Sequence, residues 1–194
     1  QRVLSVTEDR QSFVFEDIAA APVPSLLRGF SAPVVLDYPY TAAELTHLMA
    51  HDSDPFNRWE AAQQLGLQIA ITHIERAGDG YLQQPLGEDF IAALRAVLRD
   101  PRLDPAFKTL VLVLPEEDYI AEQLDEVDPQ RIHAVCDAME EQLAAALQTD
   151  WQQAYEQCRD TGAYTPDPVS AGRRALAGLA LHMLCLAARQ SGDT

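Results

Sequence analysis

Four of the five Asp-Pro pairs limit what this chain can fold into more than any other feature. Asp54-Pro55, Asp104-Pro105, Asp128-Pro129 and Asp167-Pro168 each stand just ahead of a run with helical apolar spacing. An N-cap Asp offers an acceptor to the orphan N–H groups of a first turn. Pro is harmless at the first helical position, where its missing N–H would have no partner, but breaks a helix interior. Each pair therefore starts a helix and stops any helix from running through it. Thr41, with Glu44 three residues on, adds a capping box ahead of a short helix whose stripe is Leu45, Leu48 and Met49.

The spacing predicts a long second helix from 56 to about 76, carrying Trp59, Ala62, Leu65, Ile69 and Ile74 and stopping at Gly78-Asp79-Gly80. Further helices are expected near 88–99, 105–114, 116–124, 129–147, 151–159 and 169–190. Helix starts at short intervals, joined by tight loops, predict antiparallel helix pairs stacked into an α-superhelix, HEAT/armadillo-like in kind. No strict sequence repeat underlies this expectation; it rests on architecture. The last helix is apolar nearly all round from Ala175 to Ala188, interrupted only by Gly178 and His182. Such a helix calls for cover on every side.

Residues 1–40 read differently from 41–194. Arg2 to Thr7 alternates, Gln11 to Glu16 sets Phe13 and Phe15 on one face of a period-2 pattern, and Pro33 to Tyr38 reads as a further strand. Three short strands cannot bury both faces of a sheet, so this part is expected to be the tail of a β-domain docked on the helices. The fold class expected is therefore mainly α: a superhelix over 41–194, preceded by a few strands of an incomplete β-domain over 1–40. No Met opens the chain, and its start reads as the interior of a longer polypeptide rather than as a signal peptide.

At 194 residues, 47% apolar and 23% charged, the chain can bury an ordinary core. Its formal net charge is −16, and the repulsive field this creates argues against nucleic acid or an anionic membrane as partner. Cys136, Cys158 and Cys185 are odd in number and lack CxxC spacing, which suits a reducing, cytoplasmic setting better than a disulfide framework.

Chemistry is sparse. His47 and His51 stand at i, i+4, the spacing of a zinc-binding helix, but Leu48 occupies the place where that chemistry needs a general-base Glu, and no third ligand is evident. They are expected to be ordinary helix-end histidines. His133 and Cys136 form an i, i+3 pair that does not by itself activate a thiol. Glu116, Glu117 and Asp118 fit the first turn of a helix, where the dipole favours carboxylates. With Glu122, Asp125, Glu126 and Asp128 they extend a solvated acidic face. Arg58-Trp59-Glu60 is expected to be packing rather than a recognition patch. There is no GxSxG, P-loop or Rossmann fingerprint.

Several stretches resemble the bacterial aminopeptidase N family of zinc-dependent gluzincin exopeptidases. They are Phe13-Val14-Phe15-Glu16, Pro22 to Val34 (PVPSLLRGFSAPV), Asn57-Arg58-Trp59-Glu60-Ala61-Ala62-Gln63, Leu103-Asp104-Pro105-Ala106-Phe107 and Val127-Asp128-Pro129. The resemblance spans most of the chain. It implies a parent with a catalytic domain bearing an HExxH zinc site and a GxMEN motif, followed by a small β-sandwich and a helical superhelix. This chain would hold the last strands of the sandwich (1–40) and the first part of the superhelix (41–194). Neither HExxH nor GxMEN occurs here, so no catalytic, cofactor-binding or metal residue is carried over, and the segment is expected to be inactive alone.

The implied role is a cap that encloses the active-site cavity and gates peptide access, with the rest of the same polypeptide as its partner and zinc held elsewhere. An acidic helical-repeat module that binds other proteins is the alternative; it would have no use for the strand-like opening. Uncovered stacking faces on the last helix or the strands predict self-association of the chain by itself.

Overall fold

The computed structural model describes residues 2–76, 85–159 and 162–191. Eight α-helices follow one another among them: α1 (Ala42–His51), α2 (Pro55–Glu75), α3 (Glu88–Arg99), α4 (Pro105–Leu112), α5 (Glu117–Ala121), α6 (Pro129–Ala146), α7 (Gln148–Cys158) and α8 (Pro168–Ser191). The expected turn at Gly78-Asp79-Gly80 lies outside the described residues.

The helix starts are set by the caps the sequence carries. The Asp54 side chain accepts from Asn57 N–H, Asp104 from Ala106 and Phe107, Asp128 from Gln130 and Arg131, and Asp167 from Ser170. Each following Pro is the first helical residue. At α1 the box closes in both directions: Thr41 N–H donates to Glu44 Oε2 at 2.8 Å, and Glu44 N–H donates to Thr41 Oγ1 at 3.3 Å. α6 and α7 are parted only at Leu147 (φ −112°, ψ 18°), so α7 starts earlier than its apolar pattern indicates.

One continuous core joins the helices. α1 packs on α2, α2 on α4 and α6, and the long α8 lies against α4, α6 and α7. Leu45 and Met49 of α1, Leu94 and Val97 of α3, Met139 and Leu143 of α6, Trp151 of α7 and Met183 of α8 are wholly or almost wholly buried. The Trp151 indole N–H reaches the Leu143 carbonyl at 3.4 Å, so a bulky ring is buried with its donor directed at an acceptor. Two glycines mark close approaches. A Cβ on Gly66 of α2 would lie 2.8 Å from Pro115 Cδ, and one on Gly172 of α8 would lie 3.0 Å from the backbone N of Ala106 in α4.

Among the described residues α8 buries Leu176, Ala177, Ala180, Met183 and Ala187 against its neighbours and leaves Leu181, His182 and Cys185 exposed.

The strands expected at 2–7, 11–16 and 33–38 are absent among the described residues, which are irregular apart from a short 3-10 turn, Arg28–Phe30. A strand exists only through its ladder, and these stretches make no ladder with one another. Their apolar side chains stand in the open, Val3 at 88% and Val35 at 97% exposure. The alternating pattern encodes a capacity for pairing that no partner strand meets among the described residues.

Candidate functional site

The densest polar constellation is the seam where the irregular N-terminal part meets α1 and α2. It unites two stretches far apart in sequence, 24–30 and 52–58. The Asn57 side-chain amide donates to Ser25 Oγ at 2.9 Å and to the Leu26 carbonyl at 2.8 Å. Arg28 donates to Asp52, to Ser25 Oγ at 2.7 Å and to Ser53 Oγ at 2.7 Å. Gly29 N–H donates to Asp54 Oδ2 at 3.0 Å, while the other Asp54 oxygen caps α2. The Tyr40 hydroxyl closes the seam on the Pro24 carbonyl at 2.7 Å.

These bonds hold a backbone that would not hold itself. Leu27, Gly29 and Phe30 are left-handed, with φ of 51°, 63° and 54°. Each non-Gly residue in that region costs on the order of 1–3 kcal/mol, so neighbours must over-determine it. Phe30 also packs on Phe56 at 4.1 Å between ring centroids, and Phe56 on Trp59 at 5.5 Å.

The Asp52 side chain is buried. Burial pushes its carboxyl upward, but the nearby Ser25 hydroxyl, the Asp54 N–H and the Arg28 guanidinium outweigh that, and it ends below the ordinary carboxylate value. It stays ionised as the counter-ion of Arg28. Burial and neighbouring acidic groups push Tyr40 up to about 12, so its hydroxyl remains a donor. The seam orients and binds chain to chain; it offers neither a nucleophile nor a base to solvent.

A second buried carboxylate, Asp150 in the first turn of α7, meets Arg99 directly and Arg95 at 3.4 Å, tying α3 to α7. Both arginines lie on one face of α3, and an open cleft of about 370 Å³ lies over the group. The two guanidinium groups share this one carboxylate, and Arg95 also donates to the Ala146 carbonyl at 3.1 Å.

The residues singled out in the sequence lie where packing would put them. His47 and His51 are exposed, their rings 5.0 Å apart, and buried Leu48 stands where a general-base Glu would be needed. Among the described residues no group of three or more His, Cys, Asp or Glu is arranged to hold a metal. His133 and Cys136 do not pair as base and nucleophile. His133 Nδ1 instead meets Glu117 at 2.7 Å and Nε2 lies 3.4 Å from Asp137, which raises its pKa, the Glu117 hydrogen bond most of all. Burial, then Glu117, Glu140 and Asp137, push the Cys136 thiol up to about 11, the opposite of activation. Arg58 donates to the Met49 carbonyl at 2.9 Å, and half-buried Trp59 packs against the core. Glu117 and Asp118 do occupy the first turn of α5.

Sequence reasoning overlooked Arg28, Asp52 and Asn57, and the Asp150 pair. A signal existed for the second, since Arg95 and Arg99 share a helix face and Asp150 precedes Trp151 in the first turn of a helix. None existed for the first, whose partners come together only in space.

The family described as "Domain of unknown function (DUF3458_C) ARM repeats" matches residues 42–194. The chain belongs to that family. A second, "Domain of unknown function (DUF3458) Ig-like fold", matches residues 1–39. Aminopeptidase N of Escherichia coli is 41% identical over 147 residues, covering 75% of this chain and 17% of that protein. Aminopeptidase N of Haemophilus influenzae is 37% identical, covering 81% of this chain and 18% of its own length, and that of Caulobacter vibrioides 36% identical, covering 84% and 18%. Among solved structures, the aminopeptidase A of Legionella pneumophila in complex with aspartic acid superposes with a TM-score of 0.76 at 27% identity, over 91% of this chain and 21% of that one.

The chain thus spans about a fifth of the length of its relatives. It corresponds to their helical superhelix, as the helix starts indicated. One half of the seam, 24–30, falls within the stretch Pro22 to Val34 by which the sequence resembles bacterial aminopeptidase N; of the other half only Asn57 and Arg58 fall within such a stretch.

Proposed function

We propose that this chain is a non-catalytic segment of a zinc metallo-aminopeptidase that removes N-terminal residues from peptides. Its helices cap the active-site cavity and gate access to it. The observation that carries this reading is identity of 36–41% to three bacterial aminopeptidases N over 75–84% of the chain. The donor set supports the non-catalytic part, since His47 and His51 lack both a general base and a third ligand. Zinc and the groups that polarise the scissile carbonyl would lie in the rest of the polypeptide, which is the partner of this segment. A cytoplasmic setting is part of the proposal; three free cysteines support it. Among the described residues no helix is long and apolar enough to cross a membrane.

The net charge of −16 supports a further role in gating, attraction of peptides that carry a free α-amine. Reversing Glu122, Asp125 and Glu126 to Lys in the full-length enzyme is expected to raise KM for cationic peptides several-fold while leaving kcat unchanged, with an effect that shrinks as salt is added. An unaltered KM would reject charge-assisted gating. Release of aminoacyl-arylamide product by the 194-residue chain alone, with stoichiometric tightly bound zinc, would overturn the non-catalytic assignment.

A further inference from the structure

Bulky apolar side chains left exposed in the helical part stand singly at most places: Val127 before α6, Tyr164 beside Arg174, Val169 and Leu181 on α8. Three do not. Leu110 (59% exposed), Val113 (39%) and Tyr119 (42%) converge with half-buried Trp59 on one cleft between α2, α4 and α5. Its volume is about 360 Å³, within the range of small-ligand sites.

The cleft is held open by its own framework. The Gln63 side-chain amide donates to the Val113 carbonyl at 2.8 Å, fixing the end of α4 to α2. Below it Gly66 lets Pro115 approach so closely that a Cβ would collide, which locks the turn between α4 and α5. An occupant would therefore meet a preformed surface and spend little on ordering it.

The charges lining the cleft are all of one sign. Glu60 stands on α2 and Glu116 at the start of α5, and no Arg or Lys lines the cleft. Glu117 and Asp118 follow at once in the first turn of α5. An acidic or neutral-polar occupant would leave the floor unfilled and be repelled at the rim. A lone metal cation would meet the carboxylates but leave the apolar floor of Leu110 and Val113 unfilled.

We propose that this cleft binds a peptide segment presenting a bulky apolar side chain followed by basic residues. The apolar side chain sits against Trp59, Leu110 and Val113, and the basic side chains reach Glu60 and Glu116 on opposite elements. The inference does not depend on the aminopeptidase reading, and needs no activity to test.

The 194-residue chain is titrated with acetyl-Phe-Leu-Arg-Arg-amide and with acetyl-Phe-Leu-Glu-Glu-amide, reading tryptophan fluorescence. Trp59 lines the cleft and reports occupancy, whereas Trp151 is wholly buried elsewhere and gives a constant background. The basic probe is expected to give a saturable change that added salt weakens, and the acidic probe none. Glu60→Gln and Glu116→Gln should each weaken binding by up to about fivefold, the range for exposed ion pairs. Leu110→Ser, at an exposed position that folding tolerates, should abolish it. No saturable change, equal response to both probes, or undiminished binding by Leu110→Ser would each overturn the proposal. So would a concentration-dependent dimer that Leu110→Ser dissolves, since a second copy would then be the occupant.

Discussion

Residues 2–40 and 42–191 have comparable shares of apolar side chains, yet they spend them in opposite ways. In the helical part Trp151, Leu94, Met139 and Leu143 are sealed in a common core. In the N-terminal part Val3, Val14, Val34 and Val35 face outward, and the attachment rests on the polar seam with a few apolar contacts from Val23, Phe30 and Tyr40. The difference teaches that an apolar pattern stabilises nothing until an opposing surface removes it from water. A helix satisfies its own backbone and needs only a neighbour for one face; an isolated strand-like stretch lacks even its hydrogen bonds.

The largest effect should come from the sealed side. Trp151→Ala is expected to cost about 3–5 kcal/mol, the range for emptying a fully buried aromatic site, read as a drop in the denaturant midpoint. A loss below about 1 kcal/mol would mean that the helices do not share one core. Next comes the seam. Arg28→Ala leaves the Asp52 carboxylate buried without its cation; because Arg28 is itself partly exposed, a loss of about 2 kcal/mol is expected, below the 3–5 typical of fully buried pairs.

Arg28→Ala should also raise the pKa of Asp52, moving acid sensitivity upward. With its carboxyl held low, Asp52 contributes stability above its unfolded pKa, and that contribution is lost as pH falls through its folded value. Asp52→Asn in the Arg28→Ala background should add little further loss, and an additive cost would show that the two act separately.

A weaker tie lies between α5 and α6. His133 has its pKa raised above the ordinary 6.5 by Glu117 and Asp137, so its contribution is complete below its unfolded pKa and fades as pH rises through the folded one. Ring proton shifts should show His133 titrating above 6.5 and falling back towards it in Glu117→Gln. Titration unmoved by that substitution would remove the tie. The smallest effect belongs to the open side: Val35→Ser should change the denaturant midpoint by less than about 0.5 kcal/mol in free energy, as expected of an exposed position. A larger loss would mean that the N-terminal part buries this side chain after all.

Much of the helical fold was legible because its signals are local. Asp54, Asp104, Asp128 and Asp167 cap helices within three residues of themselves, and Thr41 with Glu44 does the same. The stripe of Leu45, Leu48 and Met49 is buried as its spacing foretold. The strand-like opening matches an Ig-like family over residues 1–39 yet forms no ladder among the described residues, because alternation at Gln11 to Glu16 states which face could be buried and cannot supply the strand that would bury it. The candidate site was illegible for a related reason. Arg28 and Asp52 are 24 residues apart, and Leu86 and Gln142, which exchange two hydrogen bonds, are 56 apart. Nothing in either neighbourhood names the other.

The sequence by itself determined where helices begin, which of their faces are apolar, and that HExxH and GxMEN do not occur in these 194 residues. Only the tertiary structure decided which face of α8 is buried here, that Asp52 and Asp150 each find their arginines, and that Leu110, Val113 and Tyr119 share a cleft with Trp59. Caps and stripes act over one or two turns, where chain connectivity fixes the distances. Buried ion pairs and clefts need groups from separate elements, and their distances are fixed only once the whole core has packed.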